Sequence, residues 1–263
     1  EVRIRGFKGN FVGELLDGIP VNDMENGWVY WSNWFGLDQI TNQIQVQRGL
    51  GATKLAMPSV GGTMNIITQP TGGKRKIKVN QEYGSGNFLR TSLSYKSGKL
   101  KNGWGILFSG SYKQGDGWVD GLYTRGAFYY LKIQKKIGKH LISLSGFGAP
   151  QEHAQRSFNQ PIQYWNSEYA RDLGLSVSDT AYNTDWGIRH NQHFGYITND
   201  DGERVVKAER RNYYHKPQIT LKDFWKVNDK LSISNMAYLS IGRGGGERLR
   251  NSGGILRDDN GHV

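Results

Sequence analysis

From residue 75 onward, apolar and polar residues alternate in one segment after another. In Arg75–Tyr83 the odd positions Ile77, Val79 and Tyr83 are apolar, while Lys76, Lys78, Asn80 and Glu82 are polar. Phe88–Lys96 sets Leu89, Leu93 and Tyr95 on one face, and Gly103–Lys113 does the same with Trp104, Ile106, Phe108 and Tyr112. Ala127–Ile137 places Tyr129, Leu131, Ile133 and Ile137 opposite Lys132, Gln134 and Lys136. Asn212–Trp225 sets Tyr213, Ile219, Leu221 and Trp225 against Lys216, Gln218, Thr220 and Lys222, and Asp229–Ile241 sets Leu231, Ile233, Ala237, Leu239 and Ile241 against mostly serine. Lys139–Gly148 is shorter, with apolar residues on both faces. A period of two puts successive side chains on opposite faces, so these seven segments predict β-strands with one apolar and one polar face.

The connections carry a second regularity. If the strands run up and down, Ser97–Asn102, the Gly138 region and Val227–Asn228 fall at one end and are all short. The other end receives Gly84–Asn87, the longer Gln114–Gly126, the very long Ala149–Arg211 and the segment from Gly242. Short turns at one rim and long loops at the other are the asymmetry of membrane β-barrels. The longest loop holds Tyr164, Trp165, Tyr169, Tyr182 and Trp186, an aromatic content that predicts folding over something.

Before residue 70 the pattern differs. Short strands are predicted at Val2–Arg5, Phe11–Leu16, Ile44–Gln47 and Met64–Thr68, with turn signals at Asp17-Gly18 and Gly61-Gly62 and a short helical turn over Trp34–Asn42. This module holds few apolar residues and is expected to need a surrounding wall. Pro70–Lys74 reads as a linker.

Composition narrows the classes. With 37% apolar and 12% aromatic residues, 36 Gly and only 6 Pro, the chain suits strands and turns. It has no run of about 18 apolar residues, so no conventional transmembrane helix is predicted; a membrane barrel, in which only alternate residues face lipid, remains open. The net charge of +11 is scattered, with no Lys/Arg block, and no nucleic-acid partner is expected. A barrel lumen and anionic headgroups account for it as well. No cysteine is present, which excludes thiolate metal sites and disulfides within this stretch.

Nothing in the sequence reads as catalytic: there is no nucleophile elbow, phosphate loop or zinc-protease helix. His190 and His193 are the nearest approach to a metal pair, and without a helix their spacing carries little; no metal and no cofactor are expected. Asp200–Glu203 reads as a hairpin tip.

Three stretches carry a resemblance. RIRGF (Arg3–Phe7), LLDGIPVND (Leu15–Asp23) and VQRGLGATKLAMPSVGGTMNIIT (46–68) follow one another directly before the alternating segments. In this order and spacing they resemble the later half of the plug domain of TonB-dependent outer-membrane receptors. The form of the third stretch looks most like the ferric-citrate-receptor-like branch found in Bacteroidetes. Leu50 stands where the family often has Pro, and Ala56-Met57 where it commonly has Tyr-Gly.

The resemblance implies an all-β-dominated fold: residues 1–70 as the C-terminal half of a plug, then 71–263 as the first ~7 antiparallel strands of a transmembrane barrel of about 22 strands, with long external loops at 149–211 and 242–263. Seven strands close no such barrel, so the sequence is expected to be a piece of a longer protein. It further implies active import across a Gram-negative outer membrane, driven by the TonB–ExbB–ExbD complex, with outer-membrane lipid around the wall and an iron chelate as cargo. A SusC-like glycan or peptide importer is the alternative, as is a plugged barrel serving surface or periplasmic envelope proteins. Arg5 and Arg48 match plug arginines that face acidic residues of the barrel wall. Gly61 and Gly62 allow a turn with positive φ or a close backbone approach. Trp28, Tyr30, Trp31 and Trp34 lie on a loop expected to point toward the external vestibule, where the rings either dock a ligand or pack the plug against the wall.

Overall fold

The computed structural model describes residues 2–49, 59–156, 161–177 and 194–248, without the side chains of Tyr164 and Trp165. A small sheet holds β1 (Val12–Leu16), β2 (Ile19–Pro20), β3 (Thr41–Arg48) and β4 (Gly62–Thr68) in the order β2-β1-β4-β3. β1 and β4 are parallel, and the other neighbours are antiparallel. Asp17 (φ 52°) and Gly18 (φ 86°) turn β1 into β2. Two positive φ angles at Asp-Gly are the type I′ turn that matches strand twist.

Two local expectations are corrected. Val2–Arg5 forms no strand, only an isolated bridge between Ile4 and Phe7, because Arg5 (φ 53°) and Gly6 (φ 82°) fold the chain back on itself. The helical turn divides into a 3-10 turn at Trp31–Trp34 and α1 at Leu37–Ile40, while Thr41 and Asn42 enter β3. Gly36 (φ 89°) separates the two, and a Cβ there would overlap the Phe128 ring.

The wall sheet follows with β5 (Lys76–Gly84), β6 (Phe88–Lys96), β7 (Trp104–Asp116), β8 (Tyr123–Ile137), β9 (His140–Gly148) and β10 (Gln151–Ala154). After α2 (Ile162–Trp165) and α3 (Ser167–Asp172), β11 (Phe194–Thr198) and β12 (Arg204–Ala208) form a separate hairpin. β13 (Arg211–His215), β14 (Gln218–Lys226), β15 (Ser232–Ser240) and β16 (Arg243–Glu247) complete the wall. β9 with β10 is one strand interrupted at Ala149-Pro150, and β13 with β14 is one interrupted at Lys216-Pro217, since pairing resumes in the same register beyond each break. Proline lacks the N–H a ladder needs. All seven alternating segments are thus wall strands, each antiparallel to its neighbours.

The two faces of the wall behave as the alternation predicts. Leu107, Phe128, Tyr130, Phe147 and Ala149 point inward, where they pack against Leu16, Val21, Trp34, Leu37, Ile40 and Ile66 of the small module. Outward residues stay bare: Val79 is 69% exposed and Leu239 58%. Aromatic rows bound this apolar band. Tyr95, Trp104 and Trp225 lie at the short-turn end, with Arg75 and Lys135 over the first two rings and His140 stacked on the third. Tyr112, Tyr129 and Tyr213 lie toward the long loops. From Trp104 to Tyr112 the strand rises about 26 Å, which a barrel tilt of ~40° reduces to about 20 Å, close to the ~25 Å apolar band of an outer-membrane barrel.

Candidate functional site

A polar seam joins the small sheet to the inner wall. The Asp17 carboxylate accepts the Thr68 backbone N–H (2.8 Å) and hydroxyl (2.7 Å), tying the β1–β2 turn to the end of β4. From the wall, Tyr130 donates its hydroxyl to Thr68 Oγ1 (3.2 Å), and Lys132 Nζ reaches the same atom (3.3 Å) and the Gln69 carbonyl (3.5 Å). Lys222, on a distant strand, donates to the Asp17 carbonyl. Further along, Arg90 pairs with Asp38 (2.7 Å), Gln39 bonds Ser111 and Ser109, and Thr71 bonds Gln134. The small module supplies the carboxylates of this seam and the wall the cations.

The loop above the seam is built by side-chain-to-backbone bonds. Asn22 accepts the Glu14 N–H and donates to the carbonyls of Val12 and Gly27. Asp23 caps the N–H groups of Glu25 and Asn26, and Asn26 accepts from Trp28 N–H and donates to the Tyr30 hydroxyl. Such Asx bonds substitute for regular structure in a tight loop. The expected aromatic residues separate here. Trp34 is buried, its ring centroid 5.3 Å from that of Phe147. Trp31 and Val29 pack on the same core, half-buried, and Trp28 lies against Gly9. Tyr30 is 53% exposed. A cavity of about 370 Å³ opens beside this loop, between Ser32 and Phe35 on one side and Lys113, Gln151 and His153 on the other. Lys113 Nζ sits 4.2 Å from the Phe35 ring centre.

Arg5 and Arg48 are both exposed, and neither pairs with a described carboxylate. Gly62 has φ 127° and pairs with both Val12 and Arg48; a Cβ there would overlap the Gln47 carbonyl. A Cβ at Gly61 would press on Phe7. The glycines therefore serve close strand approach, with the positive φ at Gly62. His190 and His193 lie outside the described residues, as do Leu50, Ala56 and Met57, and among the described residues no cluster of three metal-ligating side chains occurs.

One buried carboxylate stands apart. Glu14, in the middle of β1, is 1% exposed and its Oε2 has no hydrogen-bond partner. Burial raises its pKa from 4.5 to about 7. Between those values the folded module holds a proton that the unfolded chain has released, so stability falls as pH rises and this contribution is lost above about 7. Glu14→Gln should abolish that slope and stabilise the module at alkaline pH by up to about 3 kcal/mol. Urea resistance of the module to protease, measured at about pH 5 and about pH 8, checks this; an unchanged slope in the variant contradicts it.

No family model and no curated protein sequence matches the chain. Solved structures do. The siderophore receptor PiuA from Acinetobacter baumannii superposes with a TM-score of 0.60 at 17% identity, over 92% of this chain and 30% of its own. The ferric citrate transporter FecA, unliganded, gives 0.62 at 17% identity, over 93% of this chain and 33% of its own. The pyoverdine outer-membrane receptor FpvA from Pseudomonas aeruginosa PAO1, bound to pyoverdine, gives 0.58 at 13% identity, over 99% of this chain and 44% of its own. The fold is the plug-and-barrel fold of TonB-dependent receptors. The chain spans about a third of the length of the first two structures.

In that frame the small module is plug and the larger sheet is wall, and the seam between them is the part that sequence reasoning missed. Alternation had placed Lys132 and Lys222 on the polar face, which is the available signal. Their partners, the Asp17 turn and Thr68, carry no local mark of the contact.

Proposed function

We propose that this chain is part of a transporter in the outer membrane of a Gram-negative bacterium, importing an iron chelate through a barrel that its plug closes. Residues 1–70 act as plug and 71–263 as wall. The observation that carries the reading is the junction: a small sheet held inside an amphipathic wall by one apolar cluster and by a seam of hydrogen bonds with one ion pair. The polar contacts of the seam hold at rest and exchange for water when the plug is pulled. The kinship of the solved structures, named as siderophore or ferric citrate receptors and transporters, supports the cargo class. The TonB–ExbB–ExbD complex supplies the pull, and the sequence form favours the ferric-citrate-receptor-like branch of Bacteroidetes. Arg5 and Arg48 face wall carboxylates outside this chain.

The cargo docks over the apex loop, with Tyr30 as the exposed ring, Trp31 half-buried next to it and the Lys113-lined cavity beside them. In the full-length protein, Tyr30→Ala with Trp31→Ala should weaken binding of a ferric chelate about tenfold or more, the usual size for loss of an aromatic anchor, while barrel assembly is retained. A titration with unchanged affinity removes these rings from the site. Iron-limited growth that does not depend on the protein removes iron chelates as the cargo.

A further inference from the structure

We propose that the outer face of the wall, where β8, β10, β13 and β16 meet, binds the phosphorylated headgroup of a membrane lipid. The site rests on reading the apolar outer face as lipid-facing. Strand alternation puts Arg125, Glu152, Arg211 and Glu247 on that face: Arg125 and Glu152 are register partners, as are Arg211 and Glu247, and Arg211 reaches Glu152 to join the two pairs into one row. The row lies beyond Tyr112 and Tyr129 and begins level with Tyr213, the register partner of Glu152, where an aromatic belt meets headgroups.

The row is preorganised. Arg125 Nη2 is 2.8 Å from Glu152 Oε1, and Arg211 reaches Glu152 Oε2 at 3.4 Å and also pairs with Glu247. Tyr123 donates its hydroxyl to Glu152 at 2.7 Å. These bonds fix both guanidinium planes without using all of their donors. Arg243 lies two same-face positions from Glu247 toward the membrane, beside its register partner His215, and pairs with no described carboxylate. His215 is held at 2.9 Å by the Tyr129 hydroxyl.

The local chain also leaves the space clear. Between Arg243 and Glu247 the strand is Gly244-Gly245-Gly246, a costly run inside a strand. Of the three, Gly245 is on this face, and a side chain there would crowd the Tyr213 hydroxyl, 3.1 Å from the position its Cβ would take. The result is a cavity of about 750 Å³ lined by Arg125, Arg211, Arg243, His215, Tyr112 and Tyr213. Three guanidinium groups against two carboxylates leave net positive charge. A guanidinium fork suits a tetrahedral phosphate, and the tyrosine edges suit the glycerol and upper acyl region below it.

The test uses the full-length protein reconstituted in phosphatidylcholine vesicles with and without phosphatidic acid, and counts lipids retained on the protein by native mass spectrometry. The wild type should retain phosphatidic acid, and Arg243→Gln, which breaks no observed pair, should retain about tenfold less, the worth of one charged hydrogen bond. Phosphatidylcholine retention should not change. Arg211→Gln added to it should lower retention further. Equal retention by wild type and Arg243→Gln overturns the site. Displacement by inorganic phosphate at the same concentration as the lipid makes this a free-phosphate site and overturns the lipid assignment. A protein that never enters the vesicles overturns the barrel reading and this site with it, whereas one that enters without discriminating overturns the site alone.

Discussion

Replacing Asp17 by alanine should loosen the plug against the wall by about 3 kcal/mol or more, through loss of two hydrogen bonds to a charged acceptor at about 1.5–3 kcal/mol each. The carboxylate satisfies both the N–H and the hydroxyl of Thr68, which is 4% exposed, and its charge acts through space on Lys132 and Lys222, whose own bonds go to Thr68, Gln69 and the Asp17 main-chain carbonyl. Without it, two lysines face the seam uncompensated and the Thr68 N–H loses its acceptor. Alanine is also strained at φ 52°, where asparagine is tolerated. Asp17→Asn therefore separates charge from backbone. It keeps the turn and one acceptor and should cost about 1–3 kcal/mol. The readout is the urea concentration at which protease cuts the plug of the full-length protein, with barrel mobility on gels as the assembly control. An Asp17→Ala plug as resistant as wild type contradicts this role of the seam.

Trp34→Ala should act on the same equilibrium and hardly at all on ligand affinity. The ring is 4% exposed and packs on Phe147, with Leu37, Ile40 and Phe128 in the same cluster. Truncating a buried tryptophan costs about 3–5 kcal/mol through lost burial and the cavity left behind. Trp34→Phe should recover part of it. Loss of chelate affinity in Trp34→Ala with an unchanged plug transition assigns the ring to the ligand instead.

The wall was legible because its physics is written locally. One face of the wall packs inward and the other stays bare, so apolar and polar residues alternate, and Ile77, Leu131 and Leu221 mark strands without any knowledge of their neighbours. The Asp17-Gly18 turn was legible for a similar reason, since positive φ at two successive positions selects those residues. The interruptions at Pro150 and Pro217 split strands in the structure, and the alternation runs through both.

The seam was not legible. The Lys222 contact joins residues 205 apart in sequence and depends on where each strand sits around the wall. Its polarity also differs from the arginine-on-plug pattern expected of Arg5 and Arg48, because within this chain the anions are on plug turns and the cations on inward strand positions. Nor could spacing alone separate the aromatic residues. Trp28, Tyr30, Trp31 and Trp34 share one short loop, and only the fold sends Trp34 to the wall while leaving Tyr30 53% exposed.

The most direct test of the central claim is the mobility of the full-length protein, taken from the outer-membrane fraction and run in SDS with and without heating. A closed barrel with its plug predicts a product several times the 29.7 kDa of this chain that migrates faster unheated. A protein of this mass that extracts without detergent and shows no heat shift contradicts the plug-and-barrel account.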